Sequence, residues 1–196
     1  MRKSILAAIM AVALLAALPA SAHVTPNIEL QKKGEFVKRS LPGASQFFEQ
    51  RLSPGAADLA AIRKATGWTP SSEEAKIYAG RDGQGRLVGR VILVWVPSEH
   101  GPLGLGVAFD AAGRILQVTV TDVGSEPLAW VRPLVEGGGM AAFAGLGADA
   151  APDPGKVAPA VQGTMSRYYA KVIAMGVGRA QALERAALAA TVGDGH

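Results

Sequence analysis

Apolar and polar residues follow different rhythms along the 196 residues of this chain, and each change of rhythm predicts a change of element. The front end has no alternation at all: MRKSILAAIMAVALLAALPASA runs apolar from Ile5 to about Ala17 behind Arg2 and Lys3. Pro19 follows as a helix breaker, and Ala20-Ser21-Ala22 has the small-x-small form of an export cleavage site. We expect a signal peptide over 1–22 and a mature chain beginning at His23. No cysteine follows the apolar run, which excludes a lipid anchor there. No later run is long enough to span a bilayer, so the expected location is periplasmic or otherwise extracytoplasmic.

Beyond the leader the period becomes helical. LPGASQFFEQRL predicts one helix, and SPGAADLAAIRKATG a second, with Ser53 as cap, Pro54 in the first turn and Gly67 at the end. From Lys76 to Val123 the period shortens to two. AKIYAG, RLVGRVILVWVP, PLGLGVAFD and GRILQVTVTDVG are strand-like runs separated by RDGQG, SEHG and DAAG, which are turn sequences. They predict a meander of about four antiparallel strands, with VILVWV, apolar on both faces, at its centre under helices. After Gly124 the pattern is helical again: EPLAWVRPLVEGGGMAAFAGLG predicts short helices broken at Pro133 and at Gly137-Gly138-Gly139. ADAAPDPGKVAPA reads as a loop, and an Ala-rich helix is expected from Met165 to about Ala190. The predicted fold class is α+β: one domain over 23–190, a small antiparallel sheet packed by N-terminal helices and a long C-terminal helix, with 191–196 as a flexible tail.

Charge and composition narrow the chemistry. The formal net charge of +4 falls to +2 once Arg2 and Lys3 leave with the leader, so nothing points to nucleic acid. Absence of cysteine rules out thiolate-held zinc, iron–sulfur clusters, thioether-linked haem and cysteine catalysis. The three histidines, His23, His100 and His196, are too scattered to spell a metal site.

The most suggestive stretch is VQGTMSRYYAK, residues 161–171, where two hydroxyls and a glycine open the last helix. Thr and Ser there can cap the helix by accepting bonds from its orphan amides. The same amides and the helix dipole also favour a phosphate. Both readings stay open on the residues alone.

Taken in order, the LPGA segment, the strand pair, His100-Gly101-Pro102, AFDAAGRILQVTV, an acid-Pro loop, AFAG and the Gly-Thr-x-Ser helix start resemble the FMN-binding domain family. That family includes the flavin-carrying subunits of sodium-pumping NADH:quinone reductases and related ion-translocating electron-transfer complexes, together with small secreted relatives. The resemblance covers most of the mature chain, from the first predicted helix to Ser166. It implies FMN as cofactor, attached as a phosphoester to the hydroxyl of Thr164 by a flavin transferase, with Gly163, Met165 and Ser166 around the phosphate. It further implies that Glu126, Pro127 and Leu128 lie against the flavin ring. Several positions depart from the family motif: its Asp falls on Ala158, its Ser/Thr on Val161, its Gly on Gln162 and its Ala on Gly163. The resemblance thus implies an electron carrier or redox-complex component rather than a stand-alone enzyme, whose partners are a membrane electron-transfer complex or an extracytoplasmic redox protein.

Other readings compete. Trp95, Trp130, Tyr168 and Tyr169 pack cores more often than they stack on cofactors, although Trp130 and Tyr168 flank the implied loop and helix start. His100 reads as a turn residue that shapes a hairpin, and Asp82, Asp110 and Asp122 as residues in or beside turns. A cofactor-less accessory protein of a membrane redox complex would keep the fold and lose the motif. A free His23 amine and imidazole could chelate Cu(II), with His100 or His196 completing the set.

Overall fold

The computed structural model describes residues 26–50, 55–71, 75–157 and 163–193. The expected leader, His23, His196, Ser53, Pro54 and the motif positions Ala158, Val161 and Gln162 lie outside them. The elements in chain order are β1 (Asn27–Glu29), α1 (Lys33–Ser40), β2 (Gln46–Gln50), α2 (Ala56–Thr66), β3 (Ala75–Arg81), β4 (Leu87–Val96), β5 (Leu103–Asp110), β6 (Ile115–Gly124), α3 (Leu128–Glu136), α4 (Pro154–Val157) and α5 (Thr164–Gly193). A 3-10 turn, Gly139–Phe143, follows α3.

The fold is α+β. One antiparallel sheet of six strands, in the order β1-β6-β5-β4-β3-β2, carries the predicted meander β3 to β6 at its centre and one strand more than expected at each edge. Asp82 and Asp110 make the two hairpin turns at one end of it. Asp82 Oδ1 accepts from the amides of Gln84 and Arg86, both at 2.9 Å, and Asp110 Oδ1 from those of Ala112 at 2.9 Å and Arg114 at 2.8 Å. Such Asx bonds let a tight turn close without a backbone partner. Asp122 differs: it is buried on β6, with Lys33 Nζ 2.8 and 2.7 Å from its two oxygens.

β5 explains how both faces are covered. Leu103, Leu105, Val107 and Phe109 point to one face and join α5 in the main core. The intervening residues are small, Gly104, Gly106 and Ala108, and on that second face α1 lies close. A Cβ on Gly106 would sit 2.5 Å from the Phe36 ring, so the missing side chain is what seats α1. α5 approaches the first face just as tightly, since a Cβ on Gly176 would meet Leu105 Cδ1 at 2.2 Å. Alternation along the strand thus sorts the two layers.

Four predictions about elements need correcting. The segment 41–52, expected as a helix, holds strand β2, whose Phe48 pairs with Ala79 of β3; ladder pairing overrides a weak local preference. The helix on that side is α1, just before it, with Phe36 and Val37 buried. Pro133 does not break α3. It removes only its own amide, Gly137 N–H still reaches the Pro133 carbonyl at 3.0 Å, and the helix stops at Gly137. Within the expected loop after Gly147, Pro154–Val157 form one helical turn. α2 forms where a helix was expected and ends at the expected Gly67, left-handed at φ 66, but its start is corrected. The cap is Gly55, its amide bonded to Asp58 at 3.2 Å, rather than Ser53, and the first turn begins at Ala56, after Pro54.

α5 is tied to β4 by a buried ion pair. Arg90 Nη1 donates to Glu184 Oε1 at 2.8 Å, with both side chains almost wholly buried. Burial pushes the Glu184 carboxyl up to about 7; Arg90 opposes the shift and Asp110 adds to it. A carboxyl with a raised folded value binds its proton more tightly folded than unfolded. Its stabilising contribution is full below its ordinary value near 4.5 and is lost as the pH rises through about 7. Stability is expected to fall from pH 5 to pH 8, by on the order of 1–3 kcal/mol. Urea unfolding at the two pH values checks this, and Glu184→Gln should flatten the slope.

Candidate functional site

The end of the sheet opposite the two Asx turns brings three segments together. The first is the β4–β5 turn, where Gly101 at φ 104 supplies a left-handed residue. The second is the link from β6 into α3, and the third is the first turn and a half of α5. Gly124 lets the first two meet: a Cβ there would lie 3.3 Å from both the His100 carbonyl and Pro127 Cδ.

The turn is locked to α5 by its two tyrosines. The Tyr168 hydroxyl accepts the Glu99 amide at 3.0 Å. Ser98 gives its proton to the Gly101 carbonyl, so at 3.2 Å the Tyr169 phenol must be the donor to Ser98 Oγ. Burial raises the pKa of Tyr169, opposed by its bond to Ser98, and the phenol therefore keeps that proton at neutral pH. His100 Nδ1 lies 2.8 Å from Glu126 Oε1, and its ring is 5.2 Å from that of Trp130. Trp130 stacks on Tyr169 at 6.0 Å and 16°, and Tyr168 meets Tyr169 edge-on at 5.1 Å. The result is a continuous cluster of four rings with one acid at its edge.

The residues singled out from the sequence fall at this corner as follows. Glu126 is exposed and paired to His100, Pro127 offers its carbonyl to the amides of Trp130 and Val131 at 3.0 Å each, and Leu128 packs on the main core. Gly163 is exposed at φ 122, a backbone that favours glycine. Thr164 is exposed and is already the first residue of α5; its hydroxyl bonds no described residue, so it does not act as a side-chain cap. Met165 packs against the core and Ser166 is buried. His100, read as a surface turn residue, is only 29% exposed and contacts both the loop and the rings. Ser98, Glu99 and Tyr169 have no local signature, because their roles come from contacts about 70 residues apart in sequence.

Trp95 lies elsewhere, beneath Lys33, whose Nζ is 5.3 Å from its ring centroid. It lines a cleft of about 300 Å³ together with Tyr78, Lys76 and Thr121. A larger cleft, about 740 Å³, is lined by Phe48, Arg81, Arg90 and Leu188. Among the described residues no three His, Asp or Glu side chains gather as metal ligands, and no helix is long and apolar enough to cross a membrane.

Compared with family models and with curated proteins, the chain matches none.

Proposed function

We propose that this corner holds FMN, with the phosphate at Thr164, and that the protein is an extracytoplasmic electron carrier. One observation supports the reading above the others: an exposed threonine hydroxyl with no bond to a described residue opens a 30-residue helix about one and a half turns from a four-ring cluster with an acid at its rim. The ladder of α5 begins with Arg167 N–H on the Gly163 carbonyl, at 3.3 Å. The amides of Thr164, Met165 and Ser166 therefore precede the first rung, where an anion is favoured.

The phosphate end fits such a group well. At the ring end, Tyr169 is fully buried and already stacked, which leaves the half-buried His100, Trp130 and Tyr168 as the surfaces a flavin ring could contact. A bound FMN would supply one- or two-electron transfer. The chain's own residues orient and tune: Gly163 and Thr164 anchor, the His100–Glu126 pair places an imidazole and a carboxyl at the rim, and Leu128 and Met165 seat both segments on the core. A flavin transferase would load the protein, and a membrane electron-transfer complex or an extracytoplasmic redox protein would exchange electrons with it.

A second reading draws on the departures at Ala158, Val161 and Gln162 and on the closed Trp130–Tyr169 stack. On that reading the corner is a docking face of a cofactor-less accessory protein. Denaturing gels separate the two. Protein co-expressed with a flavin transferase should give a band that fluoresces after denaturation, present in Ser166→Ala and absent in Thr164→Val. A dark band in the parent protein would favour the accessory reading.

A further inference from the structure

At the opposite end of the sheet, the 740 Å³ cleft has a composition that the flavin site does not use. Its volume lies within the range of small-molecule sites, about 300–1,000 Å³. Edge strand β2 forms one side with Phe48, and Leu188 near the end of α5 forms another. Ala79, Leu87 and Ala111 complete an apolar lining, and Phe48 is 50% exposed, unusually open for a large aromatic side chain. Among the described residues, Arg81 and Arg90 are the cations that line it, with Glu49 as the acid and Gln50 as a further polar side chain.

Arg90 is the unusual member. It is 1% exposed, and its pairing is incomplete. Glu184 takes one guanidinium N–H through Oε1, while Arg90 Nε and Glu184 Oε2 are both buried without a hydrogen-bond partner. A purely structural pair would be expected to close as a fork of two parallel bonds, the geometry in which guanidinium and carboxylate fit best. An unmet buried donor is costly, and here it belongs to a cation that borders an open apolar cleft. Nε itself has no accessible surface, so it is the incompletely paired charge of Arg90 at the cleft wall that suits an incoming carboxylate.

We propose that this cleft binds a small amphiphilic carboxylate, its carboxylate on Arg90 with Arg81 at the rim and its apolar chain along Phe48, Leu87 and Leu188. The apolar lining favours a chain over a compact phosphate or sulfate. Glu49 at the edge disfavours multiply charged anions. The site is independent of the flavin corner, because the two lie at opposite ends of β4.

The test is calorimetric titration of the full chain with octanoate and, as the uncharged control, octanamide. Octanoate should bind at least tenfold more tightly. The double variant Arg90→Met/Glu184→Leu replaces the pair with apolar side chains, and such exchanges commonly retain the fold; it should lose at least tenfold in octanoate affinity while melting cooperatively. Phe48→Glu, on the exposed rim, should weaken octanoate at least fivefold with the melting temperature unchanged, so the cleft is tested even if the double variant does not fold. No octanoate binding by the parent chain, equal binding of the amide, or undiminished binding by a folded double variant or by Phe48→Glu would each overturn the proposal.

Discussion

Arg90→Met alone is expected to cost roughly 3–5 kcal/mol of stability, measured by urea unfolding at pH 8, where Glu184 is largely ionised. The single substitution leaves a carboxylate at 0% exposure with the cation it pairs with among the described residues removed. Glu184 Oε2 already has no hydrogen-bond partner among the described residues, so removing Arg90 leaves both carboxylate oxygens without one. Adding Glu184→Leu should recover most of the loss, since two apolar side chains of similar volume remove both desolvation costs together. The same single variant should be less damaging at pH 5, where Glu184 holds its proton. A loss independent of pH would mean that packing, rather than charge, holds α5 to β4 at this point.

Phe36→Ala is expected to be comparably severe, about 3–5 kcal/mol. Phe36 is fully buried and its ring fills the space that Gly106 leaves open on β5. α1 has only eight residues and makes the second core with Phe36, Val37 and the following Leu41. Without the ring this layer loses its largest contact with Val91, Leu93 and Ala108, and the central strands lose cover on that face. Thermal unfolding gives the size of the effect, and amide exchange at Val91 and Ala108 shows whether it is local. Leu116→Ala, 43% exposed on β6, is the matched control and should change stability by less than about 0.5 kcal/mol.

How much of this could be read from the chain follows from which interactions are local. The meander from β3 to β6 is written in alternation and in turn residues: Asp82 and Asp110 close their hairpins with bonds to amides two and four residues ahead. α5 is equally legible in its alanine content and its apolar face. β2 was not, because QFFEQ becomes a strand only through its ladder with β3, some 30 residues away. α1 was hidden by its length and by Gly34 in its first turn, and it is seated by a glycine 70 positions later. Pro133 reads as a stop in any local view, yet one missing amide does not end a helix whose later bonds are intact.

The candidate site divides in the same way. The family resemblance pointed to Thr164 with its neighbours and to the Glu126-Pro127-Leu128 loop one by one. Their meeting through His100, Trp130 and Tyr169 depends on the topology of the sheet and is invisible in any single stretch. Between the two readings of the helix start, the structure removes the side-chain cap at Thr164 and leaves its hydroxyl available to solvent.

The most direct measurement of what that hydroxyl does is the intact mass of protein exported from a host that also expresses a flavin transferase. If Thr164 carries the flavin, the mature chain gains the mass of one FMN less one water, the protein is yellow after denaturation, and Thr164→Val shows neither. A bare, colourless parent chain, or a covalent flavin that persists in Thr164→Val, would contradict the assignment.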